Sequence, residues 1–117
     1  MTGGDMISKA LLMLGLSDEQ GNTTNPRYQT ASLSALNTVY ADLFYKFNTE
    51  GFKEISLHES VELPERVLYD VMPYGVAAHI ATAIGDGENQ QFFAELYNQK
   101  RKICGGSSVS DTLPTVD

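Results

Sequence analysis

Tryptophan is absent from these 117 residues, histidine occurs twice and cysteine once. Each scarcity closes off a chemistry. The single cysteine, Cys104, cannot build an internal disulfide framework; it fits a reducing compartment or a particle assembled inside cells, where its expected role is packing. His58 and His79 stand far apart, in no HExxH or Cys-His spacing, so no metal site is expected. No cofactor fingerprint is present either. Gly3-Gly4, Gly85-Asp86-Gly87 and Gly105-Gly106 lack the strand-Gly-helix setting of phosphate and dinucleotide loops, and they read as helix punctuation. Long apolar runs are also missing: the most apolar stretch, 71–84, is shorter than the roughly 20 residues of a membrane span and carries His79. Met1 to Asp5 has no basic region and the run Ala10 to Leu14 leads to no small-residue cleavage site, so neither a span nor a secretory leader is expected.

Positive charge is in short supply as well. Eight Lys and Arg stand against fifteen Asp and Glu, a net charge of −7. Nucleic-acid phosphates are bound through clustered cations, so sequence-specific DNA binding is disfavoured. Hydrophobic residues at 42% and charged residues at 20% place the chain in the globular class, with enough apolar surface for one ordered core.

Periodicity predicts a mainly all-α fold: a four-helix compact domain over residues 1–106, with a short extended arm or β-hairpin between the second and third helices, and a mobile tail over 107–117. Asp5 is a candidate cap for a first helix whose Ile7, Ala10, Leu11 and Leu14 share one face. Gly15 ends it, and Leu16 is placed for the apolar contact that accompanies a glycine C-cap. Residues 17–25 are polar, contain Gly21 and have no period, so they read as a loop. Asn25-Pro26 then opens a long helix. Tyr28, Leu33, Leu36, Tyr40, Leu43 and Phe47, widened by Val39 and Phe44, form its stripe up to Gly51. About 25 residues would give a rod of roughly 37 Å.

Between 52 and 63 the period changes to two. Ile55 and Leu57 alternate with polar neighbours, as do Val61 and Leu63. A lone hairpin is marginal in water, so this arm is expected to pack on the helices or to pair with a neighbouring subunit, and Phe52, Ile55, Leu57, His58 and Val61 are its candidate interface residues. Pro64 opens a third, central helix with Val67, Leu68, Val71, Tyr74, Ala78 and Ala81 on its buried face. Pro73 is expected to bend or split it near Tyr69. The small residues Gly75, Ala77, Ala78, Ala81 and Ala83 would let another helix come close. After the 85–87 break, Phe92, Phe93, Leu96, Tyr97 and Ile103 mark a fourth, antiparallel helix, with Lys100, Arg101 and Lys102 in its last turn.

Catalytic constellations are not legible. Glu54, His58 and Glu59 fall together on the arm, but the ordinary reading is a solvated polar face. His79 among alanines reads as a helix-packing residue. Cys104 has no Cys-His-Asn signature to make it a nucleophile, and the Lys100–Lys102 cluster reads as capping electrostatics before it reads as a phosphate contact. No enzymatic activity is expected.

The order and wording of the elements nonetheless suggest a family. A short helix ending in LLMLGL, a polar loop and a long helix are followed by LPERVLYDVMPYGVAAHIATAIGDGENQQFFAELYNQKR. Over roughly residues 4 to 104 this resembles the head-tail connector proteins of tailed phages and prophages, with Leu63-Pro64-Glu65 leading into the alanine-rich helix, Gly85-Asp86-Gly87 as its break, and Phe92 to Tyr97 opening the closing helix. Pro73 and the Asn- and Thr-rich loop before Pro26 depart from the family pattern. The resemblance implies a virion neck component assembled in the bacterial cytoplasm, whose subunits form a ring beneath the portal protein, extend the DNA channel and dock tail-completion or stopper proteins. It carries over no catalytic residue. Genomic DNA would pass without sequence-specific binding, and the tail residues Val109, Leu113 and Val116 are candidate contacts to a neighbouring subunit or the portal. A small acidic helical adaptor of the bacterial cytoplasm, gripping a partner beside the third helix, explains the composition equally well.

Overall fold

The computed structural model describes residues 1–16 and 26–104. Its helices are α1 (Gly3–Met13), α2 (Pro26–Phe47), α3 (Glu65–Asp70), α4 (Met72–Ala83) and α5 (Gly87–Cys104). The expected loop over 17–25 and the tail, with Val109, Leu113 and Val116, lie outside the described residues.

α1 begins one turn earlier than its apolar pattern indicates. Thr2, rather than Asp5, is the N-cap: its hydroxyl accepts a hydrogen bond from the Asp5 amide, while the Asp5 carboxylate accepts one from the Thr2 amide, both at 3.1 Å. This reciprocal box satisfies two of the donors a helix start leaves open and sets a carboxylate on the positive end of the helix. The exit is as expected. Gly15 takes φ +73°, the Leu16 amide bonds the Leu11 carbonyl at 2.9 Å, and the Gly15 amide bonds that of Leu12 at 3.1 Å. The same closure recurs after α4, where Gly85 sits at φ +80° and the Asp86 amide reaches the Ala81 carbonyl at 2.8 Å. Asp86 then caps α5 by accepting from the Asn89 amide at 3.2 Å.

Pro73 splits the expected third helix in two. It has no N–H for the carbonyl one turn back, and its ring would collide with that carbonyl. The chain therefore leaves helical geometry at Val71 (φ −125°) and restarts with Pro73 in the first turn of α4. α4 is the centre of the molecule and touches each of the other four helices. Nearly all of it is buried: Met72, Pro73, Gly75, Val76, Ala77, Ala78, Ile80 and Ala81. Against it lie Met6, Ala10 and Leu11 of α1, Leu36, Val39 and Leu43 of α2, and Phe93 of α5. Each fully buried leucine here contributes about 2 kcal/mol of transfer free energy. His79 points outward, as do Thr82 and Ala83 at the end of α4, and it is not the packing residue its alanine neighbours suggest.

The arm forms no strand pair of its own. Its only ladder contact among the described residues is an isolated antiparallel bridge between Thr2 and Ser60. The segment is extended because period-two side chains need one covered face, and α1 and α2 supply that cover in place of a second strand.

Candidate interaction surfaces

Two α2 side chains and the first residues of the chain fix the arm. Asn37, buried on α2, makes a two-way bond to one arm residue. Its Nδ2 donates to the Ile55 carbonyl at 3.0 Å, and its Oδ1 accepts from the Ile55 amide at 2.8 Å. One turn on, the Tyr40 hydroxyl accepts from the Glu62 amide at 3.0 Å. On the other side, the Gly3 and Gly4 amides donate to the Glu59 and Leu57 carbonyls, and the Val61 amide donates to the Met1 carbonyl, each at 2.9 Å. The segment thus has its backbone groups satisfied by two α2 side chains, by the free amides in the first turn of α1 and by Met1, as a buried or half-buried segment requires.

These contacts sort the predicted interface residues. Phe52 is half-buried in an edge-to-face aromatic cluster with Tyr40 and Phe44, at ring centroid distances of 5.2 and 5.8 Å. Ile55 is half-buried against the core. Val61 turns fully inward, 4% exposed, and belongs to this chain's own core, which leaves nothing of its side chain to offer a neighbour. Only Leu57 and His58 stand out. They occupy the apex of a turn held by the Ser56 amide donating to the Glu59 carboxylate at 2.8 Å. The presented surface of the arm is therefore its tip.

A second polar cluster joins α2 to α5. Asp42 accepts from the Tyr97 hydroxyl and, bidentately, from Arg101 Nε at 2.8 Å and Nη2 at 3.1 Å. Partial burial raises the Asp42 pKa, but the bonds from Tyr97 and Arg101 and the charges of Arg101 and Lys46 outweigh it, and the carboxyl is held below its ordinary range. Burial, and then the bond to Asp42, push the Tyr97 phenol up, so it stays protonated as a donor. Beside this pair, Gly75 of α4 lets Tyr97 and Val39 converge: a Cβ there would meet the ring at 2.7 Å and Val39 at 2.9 Å. Lys100 lies 3.0 Å from Asp70 and 4.9 Å over the Tyr74 ring.

The basic run at the end of α5 is thereby largely engaged within the chain. Arg101 is bound to Asp42 and Lys100 to Asp70, and of the three only Lys102 is exposed. Its use as a phosphate-binding cluster would require breaking both pairs. Cys104 is half-buried, its Sγ donates to the Arg101 carbonyl at 3.3 Å, and burial pushes the thiol up, away from the thiolate that nucleophilic chemistry needs.

The remaining ionisable candidates do not converge. Glu54 lines a shallow groove between the arm and α2 with Phe52 and Asn37, while His79 lines a separate one, about 190 Å³, between α4 and α5 with Gln90 and Asn98. His58 sits at the arm tip. No group of three or more metal-ligating side chains exists among the described residues, and no helix among them is long and apolar enough to cross a membrane. The surface instead carries large exposed apolar side chains: Leu12, Tyr45, Leu57, Tyr69, Phe92 and Ile103. Sequence periodicity passed over Leu12 and Tyr45 because they lie off the buried stripes of their helices.

Comparison with known proteins gives no match: no family model fits the chain, and neither the curated proteins nor the solved structures contain a significant relative.

Proposed function

We propose that this chain is a structural assembly protein of the head-tail connector type, a subunit of the ring that lies below the portal in the neck of a tailed phage or prophage particle. The observation that carries the reading is the order of the elements joined to their roles. An LPE entry opens the short α3, the chain breaks at Val71 into the buried, small-residue α4 at the centre, a Gly-Asp-Gly break follows, and a closing aromatic-Leu-Tyr helix packs back on it. Exposed apolar side chains on a chain of this size supply surfaces for neighbours. In such a ring an acidic channel wall would keep the genome from adhering, since like charges repel phosphates within a Debye length. A channel lined by Lys and Arg in the assembled particle would contradict that part.

The test is electron microscopy of the chain mixed with the portal protein encoded in the same genome. Rings seated on the portal are the expected result; an absence of both rings and portal binding would sink the reading. Deleting residues 107–117 is expected to weaken docking, and unchanged affinity would remove the tail from the proposal. The adaptor alternative relies on a hydrophobic partner groove beside the expected third helix, and the hollows there are lined largely by polar side chains: Glu65, Arg66 and Asp70 on α3, and His79, Gln90 and Asn98 between α4 and α5.

A further inference from the structure

The outer face of α5 carries a row of which the fold uses only Leu96, and that in part. Phe92, Leu96, Gln99 and Ile103 follow one another at steps of four, three and four residues, the a/d spacing of a helix seam. Phe92 is 57% and Ile103 84% exposed, and Leu96 is half-buried at the edge of the core. The helix meets the rest of the molecule through a different face, that of Phe93, Tyr97, Lys100 and Arg101. Flanking the row on one side are Glu95 and Lys102, one heptad apart, both exposed and with no salt bridge among the described residues.

We infer that the row is a self-pairing seam, by which two copies of this chain join through their α5 helices in antiparallel orientation. The charges select both the occupant and the direction. In an antiparallel pair the flanking positions on the same side face each other, so Glu95 of each copy meets Lys102 of the other, twice by symmetry. The same alignment sets Phe92 beside the second copy's Ile103, and Leu96 beside its Gln99, so every layer of the seam holds at least one apolar side chain. A parallel pair would instead stack Gln99 on Gln99 and direct Glu95 toward Lys100, which Asp70 and the Tyr74 ring already hold. A single helix pair is a small interface, so the dimer is weak and concentration-dependent. Being two-fold, it closes at two copies and cannot propagate a ring; it describes the free chain and does not rest on the connector reading.

Sedimentation of the full chain over a concentration series, with circular dichroism to verify folding, tests the pairing. Wild type is expected to shift from monomer to dimer, and Ile103→Glu to remain monomeric. Lys102→Glu, which brings Glu95 against a second carboxylate, is expected to weaken dimerisation at least about tenfold, less so in high salt. The double variant Glu95→Lys with Lys102→Glu restores the opposite charges and is expected to recover the dimer. A wild-type chain that stays monomeric throughout, a dimer indifferent to Ile103→Glu, or a double swap that fails to rescue would each overturn the inference. None of these outcomes bears on whether the chain binds a portal.

Discussion

A methyl group at position 75 would stand closer to Tyr97 and Val39 than real carbon atoms approach. Gly→Ala inside a helix ordinarily stabilises by about 0.5–1 kcal/mol through backbone entropy. Here overpacking costs about 1–3 kcal/mol, because Tyr97 cannot withdraw without releasing Asp42. Gly75→Ala is thus expected to lower stability by roughly 1 kcal/mol net, read as an earlier urea midpoint at unchanged slope. The sequence showed that a run of small residues follows Pro73 and that a close approach was coming. It did not show which side chain arrives, because the two partners come from α2 and α5 and local spacing holds no record of them. Thr2 is the opposite case. Thr-x-x-Asp is a readable capping box, but Asp5 is itself a good cap residue and starts the apolar pattern, so it took the assignment.

The arm shows where reading an element from its period stops. Alternation set Ile55, Leu57, Val61 and Leu63 apart from their polar neighbours, and three of them turn toward the helices while Leu57, at the tip, stays exposed. Alternation gave no means of telling whether the cover is a neighbouring subunit or the chain's own helices. Val61 settled into the home core. The determinant is Asn37, which looks like an unremarkable polar residue on a long helix until its amide is seen bonding both backbone groups of Ile55. Replacing Asn37 by Ala would leave an amide and a carbonyl without partners at a half-buried position. The expected loss is about 1–3 kcal/mol, with the helices intact by circular dichroism. A loss within experimental error would mean that Tyr40 and the pairing with residues 1–4 hold the arm without it. Helix endings were more legible than the arm, because Gly15, Gly85 and Pro73 act through their own backbone and leave little to distant neighbours.

For the molecule as a whole, the acid limb of stability has an identifiable contributor in the bond that ties α2 to α5. The Asp42 pKa is held below its unfolded value, so its contribution is complete above roughly pH 4 and disappears as pH falls through the folded value. The Asp42 side chain is 44% exposed, which screens the pair and limits it to about 1 kcal/mol or less. Asp42→Asn is therefore expected to melt below wild type at neutral pH and to converge with it once pH has fallen through the lowered folded-state value. Parallel curves across that range would assign the stability to other groups. The all-helical class and the central place of the Pro73 helix were readable from composition and spacing, whereas the α2–α5 tie was not, since residues so distant in the chain meet only once α4 has set both helices in place.

The bridge between Thr2 and Ser60 closes a loop that encloses α1 and α2 entirely. Contacts between the ends of so long a stretch cost more chain entropy than the α4–α5 hairpin, whose partners are neighbours in sequence, and they are expected to form after it. The amides of Ile55, Val61 and Glu62 are therefore expected to exchange with solvent faster than those of α4, read by hydrogen exchange, and equal protection would place the arm in one cooperative unit with the helices.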